Sequence, residues 1–366
     1  MTAAATHIVT GSPDSGRSLA LGVAAAVSLV ALGTCSAPAT AHAQPVNITL
    51  SRLRFATGSP EALGADPGAC QGGAYCADFD GYRALMAQLG GGLAPVSLQP
   101  ARTLGSRHFF VGVAASMAGL DASARYWRLG TEGPANSTLD AGNPSPDSVL
   151  ASYLVSFRQG LPFGLQFGAS VGHVARSNLW IWGVEGQWAL LEGYRRGPLA
   201  YVPDLALRFA VRTLTGDSEF TLVVPAIDLV ASKPVTLSST TVLSPLLGVQ
   251  LFWIVAHTGA VDLSPEQSAV EVCDPTAPSV DPTLGSPFPF GGCASGDSSA
   301  FADNVRFPRL TARRMRATLG LNLRHRALVV AAAVQVDLSR PTGLGSPVPS
   351  DVPRQWGAHV STGLTY

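Results

Sequence analysis

The chain has 366 residues, a length that fits one or two domains, and its formal net charge is zero because Lys and Arg balance Asp and Glu at 24 each. Hydrophobic residues make up 46% of the chain and charged residues only 13%. This composition argues against a nucleic-acid-binding protein, a disordered chain and an ordinary soluble enzyme with a charged surface. After the N-terminus, no run approaches the ~20 apolar residues of a membrane-spanning helix.

The N-terminus has the features of a secretory signal. Residues 18–32 are uncharged and apolar and follow Arg17, and Ala41-His42-Ala43 offers a cleavage site. We therefore predict a signal peptide over residues 1–43. A lipoprotein signal at Cys35 is the alternative, although Thr34 fits that pattern poorly.

Removal of this segment leaves four cysteines, Cys70, Cys76, Cys273 and Cys293. In an exported protein they predict two disulfides, and proximity in the sequence favours Cys70–Cys76 and Cys273–Cys293. Metal binding is the alternative, but no histidine lies near either pair at the spacing of a zinc site. We expect neither a metal nor a cofactor.

Apolar and polar residues alternate from about residue 104 onward, which is typical of β-strands. In one example, Phe163, Leu165 and Phe167 lie on one face, and Gln166 and Ser170 lie on the other. The pattern predicts ten strands, near 104–119, 149–159, 162–175, 179–192, 203–215, 219–232, 240–256, 308–324, 327–339 and 355–366. A break in the alternation at Pro225 predicts a bulge.

Three features favour a membrane barrel over a soluble sandwich. The segments are roughly 11–14 residues long, whereas globular strands average about 5–6 and tilted membrane strands need about 9–11. Large aromatic residues cluster near segment ends, at Tyr153, Phe157, Trp180, Trp182, Trp253 and Trp356. The last strand, 356–366, alternates throughout and ends in Tyr366.

These features resemble the bacterial outer-membrane β-barrel proteins, over residues 102–366. The resemblance implies location in the bacterial outer membrane, contact with its lipid, and a C-terminal insertion signal that includes Tyr366 and is recognised by the barrel-insertion machinery. It also implies long extracellular loops and short periplasmic turns. The three long connections, 120–148, 257–307 and 340–354, all fall on the same side of the predicted barrel.

We therefore predict an all-β fold, a transmembrane antiparallel up-and-down barrel of about ten strands. Twelve strands are possible if residues 46–55 and another segment join it. Residues 44–101 form an N-terminal segment, either periplasmic or inserted as a plug. Its apolar spacing predicts a helix from Phe79 to Leu89, capped by Asp78 and ended by glycines 90–92.

Two catalytic motifs are weak. Gly168-Ala-Ser-Val-Gly172 matches a nucleophile elbow, but the alternation runs straight through Ser170 and no helical pattern follows. His359 and Ser361 share a strand face, roughly 7 Å apart, which is too far for direct activation of the serine. We do not expect an enzyme.

The polar residues that alternate with the lipid-facing ones are the candidate site. The predicted lumen-lining residues are Arg208, Arg212, Arg314, Arg316, Arg324, Glu185, Gln187, Asp228, Asp337 and His359. Arginines outnumber acids, which favours anions if the lumen is open. A ten-stranded barrel predicts a narrow or plugged lumen.

The leading functional hypothesis is therefore a narrow or plugged channel for passive transport of small solutes, with a mild anion bias. The alternative is a structural or surface-display barrel whose loops, notably 257–307, bind a partner. A lipid-modifying enzyme is a distant third hypothesis. No nucleic-acid partner is expected.

Overall fold

A computed structural model describes residues 46–366 except 67, 135–141, 194–200, 268–271, 274–292, 295, 297 and 346. The predicted signal peptide, Cys35 included, lies outside the described residues. Before the barrel come a 3-10 turn (Leu50–Arg52), strand β1 (Arg54–Ala56), helix α1 (Pro60–Leu63), strand β2 (Tyr75–Ala77) and helix α2 (Phe79–Gly92).

The rest of the chain is mostly strand. In chain order its elements are β3 (Phe109–Gly119), α3 (Arg125–Leu129), β4 (Val149–Gly160), β5 (Leu165–Val174), β6 (Trp180–Leu191), β7 (Asp204–Thr215), β8 (Phe220–Ser232), β9 (Val235–Ser238), β10 (Thr241–Thr258), β11 (Val261–Asp262), β12 (Val272–Cys273), β13 (Cys293–Ala294), a 3-10 turn (Ser298–Asp303), β14 (Asn304–Val305), β15 (Leu310–His325), β16 (Leu328–Asp337), β17 (Thr342–Gly343) and β18 (Trp356–Thr365).

Ten of these strands form a closed antiparallel barrel, as the alternation predicted. Each barrel strand pairs with the next one along the chain, and β18 pairs with β3 to close the ring. The short strands β9 and β17 add to individual neighbours without entering the ring. The predicted bounds agree with the observed ones to within three residues, except that β3 begins at Phe109 rather than at 104.

The outer face of the barrel is an apolar belt. Every barrel strand contributes at least one exposed large apolar side chain, namely Val111, Tyr153, Leu165, Trp182, Phe209, Leu229, Leu247, Leu319, Val334 and Val360. Aromatic side chains lie at both margins of the belt: Trp180 and Trp356 at one, and Phe109 stacked on Tyr366 at 5.2 Å at the other. Such a belt between aromatic girdles fits a lipid bilayer.

The barrel has two distinct ends. Short connections, 161–164, 192–203, 233–240 and 326–327, join strands at one end, where β3 begins and β18 finishes. We call this the short-turn end. The opposite end carries the connections 120–148, 259–309 and 338–355, and we call it the long-loop end.

Three details differ from the sequence-based predictions. Helix α2 continues through Gly92 instead of ending before the glycines. Strand β8 keeps one register with β7 through Pro225 and resumes the same register with β10 on either side of it, so the predicted bulge is wrong. Residues 46–55 add no barrel strand, because β1 pairs only with β2.

Two of these differences have a cause inside the barrel. The α2 glycines lie against the wall, and a Cβ on Gly90 would come within 2.5 Å of Ile254 Cγ2. Because small residues are needed for this close approach, the glycines stay in the helix. The alternation appeared to slip at Pro225 because the inward residues Leu222 and Val224 are apolar, and both join the buried core inside the barrel.

Candidate functional site

The candidate site is the lumen, and the chain before β3 fills it. Helix α2 lies in the half nearer the long-loop end, and residues 93–102, which we call the lumen segment, continue toward the short-turn end. The glycines of α2 contact inward-facing side chains of several strands, among them Ile254 and Leu150. Val96 and Leu98 pack against Ala331 and Ala333 of β16.

The half of the lumen around α2 is an apolar core. Tyr82, Leu85, Met86 and Leu89 of the helix are fully buried there. Their neighbours come from inward positions of the wall, such as Phe252, and from loop residues such as Phe307, whose ring centroid lies 4.9 Å from that of Tyr82. Sequence reasoning missed this core. An apolar residue of a strand can face either the lipid or the lumen, and its type alone does not distinguish the two.

Residues 46–78 extend this core beyond the long-loop end, and we call them the cap. Arg52 Nη1 donates to the carbonyls of Thr131 (3.1 Å) and Glu132 (2.7 Å), and Leu50 N donates to Glu219 Oε2 at 2.8 Å. Within the cap, Cys70 and Cys76 form a disulfide, as predicted. The backbone of Cys273 pairs with that of Cys293 across β12 and β13, and the side chains of these two residues lie outside the described part of the structure.

Two carboxyl groups of the cap and its neighbouring loops are held in place by hydrogen bonds. Burial raises the pKa of Glu219 above its usual value, against the lowering effect of its bond from Leu50 N. Burial likewise raises the pKa of Asp78, although Gly81 N and Arg125 both donate to that carboxylate. Asp78 thus caps α2, as the sequence predicted, and ties the helix to α3.

The other half of the lumen is polar along the lumen segment. The barrel wall carries two ion-pair clusters, the second of which reaches α2, where Arg314 Nη2 donates to Ala87 O at 3.0 Å. In the first, Glu185 accepts from Arg158 and, at 2.7 Å, from Arg208 Nη2. Arg208 Nη1 also lies 2.7 Å from Asp228 Oδ2, and Gln250 Nε2 donates to the other oxygen of Asp228 at 2.7 Å. Arg158 was missed by the sequence reasoning, although its inward position follows from the outward position of its neighbour Phe157.

The second cluster centres on Asp337. Arg314 Nη1 and Arg316 Nε each lie 2.7 Å from one of its oxygens, and all three side chains are almost completely buried. Gln335 Oε1 joins this cluster as an acceptor, from Arg316 Nη1 at 3.4 Å and from His359 Nε2 at 3.1 Å. The structure therefore brings together nearly all the predicted lumen-lining residues.

Three predicted residues, Arg324, Arg212 and Gln187, lie apart from these clusters. Arg324 is on the inward face of β15 but at the short-turn end, where it is exposed and donates to Arg326 O at 3.3 Å. Arg212 faces the lumen but forms no ion pair with a carboxylate of the described residues, and its Nη1 donates to the carbonyls of Leu93 (3.3 Å) and Ala94 (3.1 Å).

The wall holds the lumen segment through the main chain of that segment. Arg208 Nη2 donates to Val96 O (3.2 Å), Gln250 Nε2 to Pro95 O (2.6 Å) and Asn322 Nδ2 to Leu98 O (3.2 Å). Gln187 Nε2 donates to the carbonyls of Pro100 and Ala101 at 3.1 and 3.2 Å. Side chains from at least four strands thus satisfy carbonyls that would otherwise be buried without partners.

The lumen is closed in this state. A small cavity of about 30 Å³ lies beside the lumen segment. That volume holds only one or two water molecules.

The suspected catalytic groups do not form a relay. Ser170 lies within β5, as the alternation indicated, and not at a strand-to-helix turn. Within the described residues, Nδ1 of His359 and Oγ of Ser361 have no hydrogen-bond partners.

No cluster of three potential metal ligands occurs in the described part of the chain. Among the described helices, none has the length and apolarity to cross a bilayer.

A closed up-and-down barrel with an apolar outer belt, aromatic margins and a polar interior is the architecture of bacterial outer-membrane β-barrels. The chain has that architecture, and its belt fits the bacterial outer membrane.

Comparison with known proteins gives no closer assignment. No protein-family model matches the chain, and no curated protein matches it. Among solved structures, the outer membrane protein OprG from Pseudomonas aeruginosa has a TM-score of 0.27 and 8% identity, and covers 73% of this chain and 99% of its own. The attachment invasion locus protein Ail of Yersinia pestis, in complex with the heparin analogue sucrose octasulfate, has a TM-score of 0.24 and 8% identity, and covers 71% of this chain and 99% of its own.

Neisserial surface protein A gives a TM-score of 0.25 with 12% identity, over 70% of this chain and 95% of its own. These scores are too low to carry an argument about ligands or function. The geometry and chemistry of the lumen are therefore the basis for a functional assignment.

Proposed function

We propose that the protein is an outer-membrane channel for small solutes that its own N-terminal segment holds closed. The observation that carries this proposal is the way the wall contacts the lumen segment. Arg208, Gln250, Asn322 and Gln187 bind its carbonyls, and these donors can also bind water or the acceptor groups of a solute. Movement of the lumen segment therefore leaves a hydrated polar wall rather than a collapsed apolar one.

The charge of this wall supports a mild preference for anions. Among the described residues, its buried or half-buried inward groups include the arginines 158, 208, 212, 314 and 316 and the acids Glu185, Asp204, Asp228 and Asp337. An excess of fixed positive charge in a narrow pore favours anions. Neutralising Arg208 should therefore reduce that preference.

Planar-bilayer recording of the full mature protein tests the channel. We expect a mostly closed wild type with occasional steps, and a reversal potential in a KCl gradient that indicates chloride preference. Gln250→Ala, which removes the bond to Pro95 O, should increase the frequency of opening several-fold, because the lost bond contributes about 0.5–1.5 kcal/mol.

Gln335→Ala is the matched control, since Gln335 is equally buried but bonds only to wall residues, among them Thr318 at 2.9 Å. It should leave the opening frequency near that of the wild type. Bilayers that stay silent for both the wild type and Gln250→Ala would exclude the channel.

The orientation of the barrel follows from the usual difference between its ends. In bacterial barrels the short turns face the periplasm and the long loops face outward. On this basis the cap lies outside the cell, and the chain from residue 46 passes inward through the lumen to reach β3. A protease added to intact cells should cleave an accessible site introduced after Leu63, which is 84% exposed, and protection of that site in cells and cleavage only after lysis would reverse the orientation.

A surface-display function is the second candidate, and the cap favours it. The cap and the loops share one apolar core, so the long-loop end is a fixed platform. The backbones of β12 and β13, which flank residues 274–292, are paired. Replacing residues 274–292 by a short Gly-Ser linker should keep the barrel folded and abolish binding of cells to an array of immobilised glycans and matrix proteins. Unchanged binding would exclude this loop as the binding element.

A further inference from the structure

The cavity beside the lumen segment has an unusual wall. It lies between Val96 and the inward face of strands β4 to β7, and Ser361 of β18 also lines it. Three arginines, Arg158, Arg208 and Arg212, reach its wall, but only one carboxylate, Glu185, does so. The wall therefore carries more positive than negative charge.

Arg212 is the arginine whose charge is not matched. Both oxygens of Glu185 are already bonded, one to Arg158 and one to Arg208. Asp228, the next acid along the wall, is bonded to Arg208 and Gln250. In the described part of the chain, Arg212 has only carbonyl acceptors, and a desolvated cation without a counter-ion is costly.

Hydroxyl groups surround the same space. Ser156 and Ser170 are direct neighbours across β4 and β5, Ser170 is next to Gly183, and Gly183 is next to Arg212. Gly183 keeps this row open, because a Cβ there would lie 2.5 Å from Ser170 Oγ and 3.4 Å from Arg212 Cγ.

The opposite wall supplies an unused donor. Ser361 is 7% exposed, and its Oγ has no hydrogen-bond partner among the described residues. A buried hydroxyl without a partner costs about 1–3 kcal/mol unless a guest satisfies it. The Arg212 guanidinium and the serine hydroxyls are thus hydrogen-bond donors around the cavity, and an anionic acceptor for them is missing.

We propose that this cavity binds one small monovalent anion, of the size of chloride or formate. Arg212 supplies the counter-charge, and Ser170 and Ser361 donate hydrogen bonds. The volume of about 30 Å³ admits a guest of that size and excludes a large organic anion. The site belongs to the closed protein, so it does not depend on whether the barrel ever conducts.

Anion-dependent thermal unfolding of the full mature protein, refolded in detergent, tests the site. Sodium chloride or sodium formate should raise the melting temperature along a saturating curve. Sodium gluconate at equal ionic strength should not, because gluconate is too large to enter. The anion with the lower half-saturating concentration identifies the preferred ligand. Equal curves in chloride, formate and gluconate would overturn the proposal.

Variants at Arg212 assign the effect to this cavity. Arg212→Gln should weaken anion binding at least tenfold, and Arg212→Lys, which keeps the charge, should retain most of it. The matched control is Arg128→Gln, a change at an exposed arginine of α3 that should leave the anion curve unchanged. Folding of each variant is checked by heat-modifiable migration in gels. Wild-type anion curves for a folded Arg212→Gln would overturn the assignment.

Ser170→Ala keeps the proposal testable if Arg212→Gln does not fold. This change removes a single hydroxyl from the cavity wall and adds no bulk. Half-saturation should shift to a several-fold higher anion concentration. An unshifted curve for folded Ser170→Ala would overturn the role of the serines.

Discussion

The two halves of the lumen are filled in different ways, although the same ten strands enclose both. Around α2 the contacts are mainly apolar and include Tyr82, Leu85 and Phe252. Along residues 93–102 the contacts are mainly hydrogen bonds from wall side chains to carbonyls. Apolar burial is non-directional and adds up with area, whereas each hydrogen bond contributes only about 0.5–1.5 kcal/mol net.

This difference separates an anchor from a releasable part. The apolar half fixes α2 and the cap to the barrel. The polar half can exchange each bond to the lumen segment for one to water, so that segment can leave the wall stepwise while the helix stays docked. The predictions below first disrupt the anchor, then an ion-pair cluster of the wall, and finally a buried amide without partners in the apolar half.

The largest effect is expected from Leu89→Asp in α2. Leu89 is fully buried in the apolar core, and a carboxylate there would lack any compensating partner. Undocking of α2 and the cap should follow, while the barrel still forms because its strands and belt are unchanged. Limited proteolysis should cut within 46–102, and heat-modifiable migration should remain.

Leu63→Asp is the matched control, because Leu63 is exposed on α1 in the cap. It should leave the proteolytic pattern unchanged. Resistance of Leu89→Asp to the protease would show that the apolar half does not anchor the segment.

A smaller loss is expected from Asp337→Asn in the ion-pair cluster beside α2. The change removes the carboxylate shared by Arg314 and Arg316, whose side chains are 0% and 3% exposed. Breaking a buried ion pair from one side costs about 3–5 kcal/mol, because the remaining charges stay buried. Urea unfolding in lipid vesicles, followed by tryptophan fluorescence, should show this loss.

The contrasting change is Asp147→Asn, which breaks a pair with Arg176, a side chain that is 62% exposed. An exposed pair contributes about 0–1 kcal/mol, so the unfolding curve should barely move. Equal losses in the two variants would contradict the view that the Asp337 cluster is a buried structural unit.

The barrel and its outer face could be predicted because lipid-facing and lumen-facing residues alternate along a membrane strand. The fit at β15, expected near 308–324 and observed over Leu310–His325, rests on this alternation alone. The start of β3 was placed too early because residues 104–108 only connect the lumen segment to the strand. Alternation cannot distinguish such an extended connection from a paired strand.

The filling of the lumen could be predicted only in part. The inward arginines were evident, but their partners depend on cross-strand register, which pairs Arg208 with Asp228 across β7 and β8. The glycines of α2 were interpreted as a helix end because their role as contacts with the wall depends on residues such as Ile254, far away in the sequence. The carbonyl contacts of residues 93–102 were not predictable, since they involve no side chain of that segment.

The last prediction concerns Gln88, a polar residue in the apolar half. It is completely buried on α2, and among the described residues neither its Oε1 nor its Nε2 has a hydrogen-bond partner. Gln88→Leu removes this unsatisfied amide at similar volume and should stabilise the docked helix by about 1–3 kcal/mol. Slower hydrogen exchange of the amides of α2 should report the gain, whereas Gln88→Glu, which buries a charge at the same position, should accelerate exchange. Faster exchange in Gln88→Leu would show that the amide is satisfied in the membrane-embedded protein, for example by water, and that this half of the lumen is less dry than its apolar walls indicate.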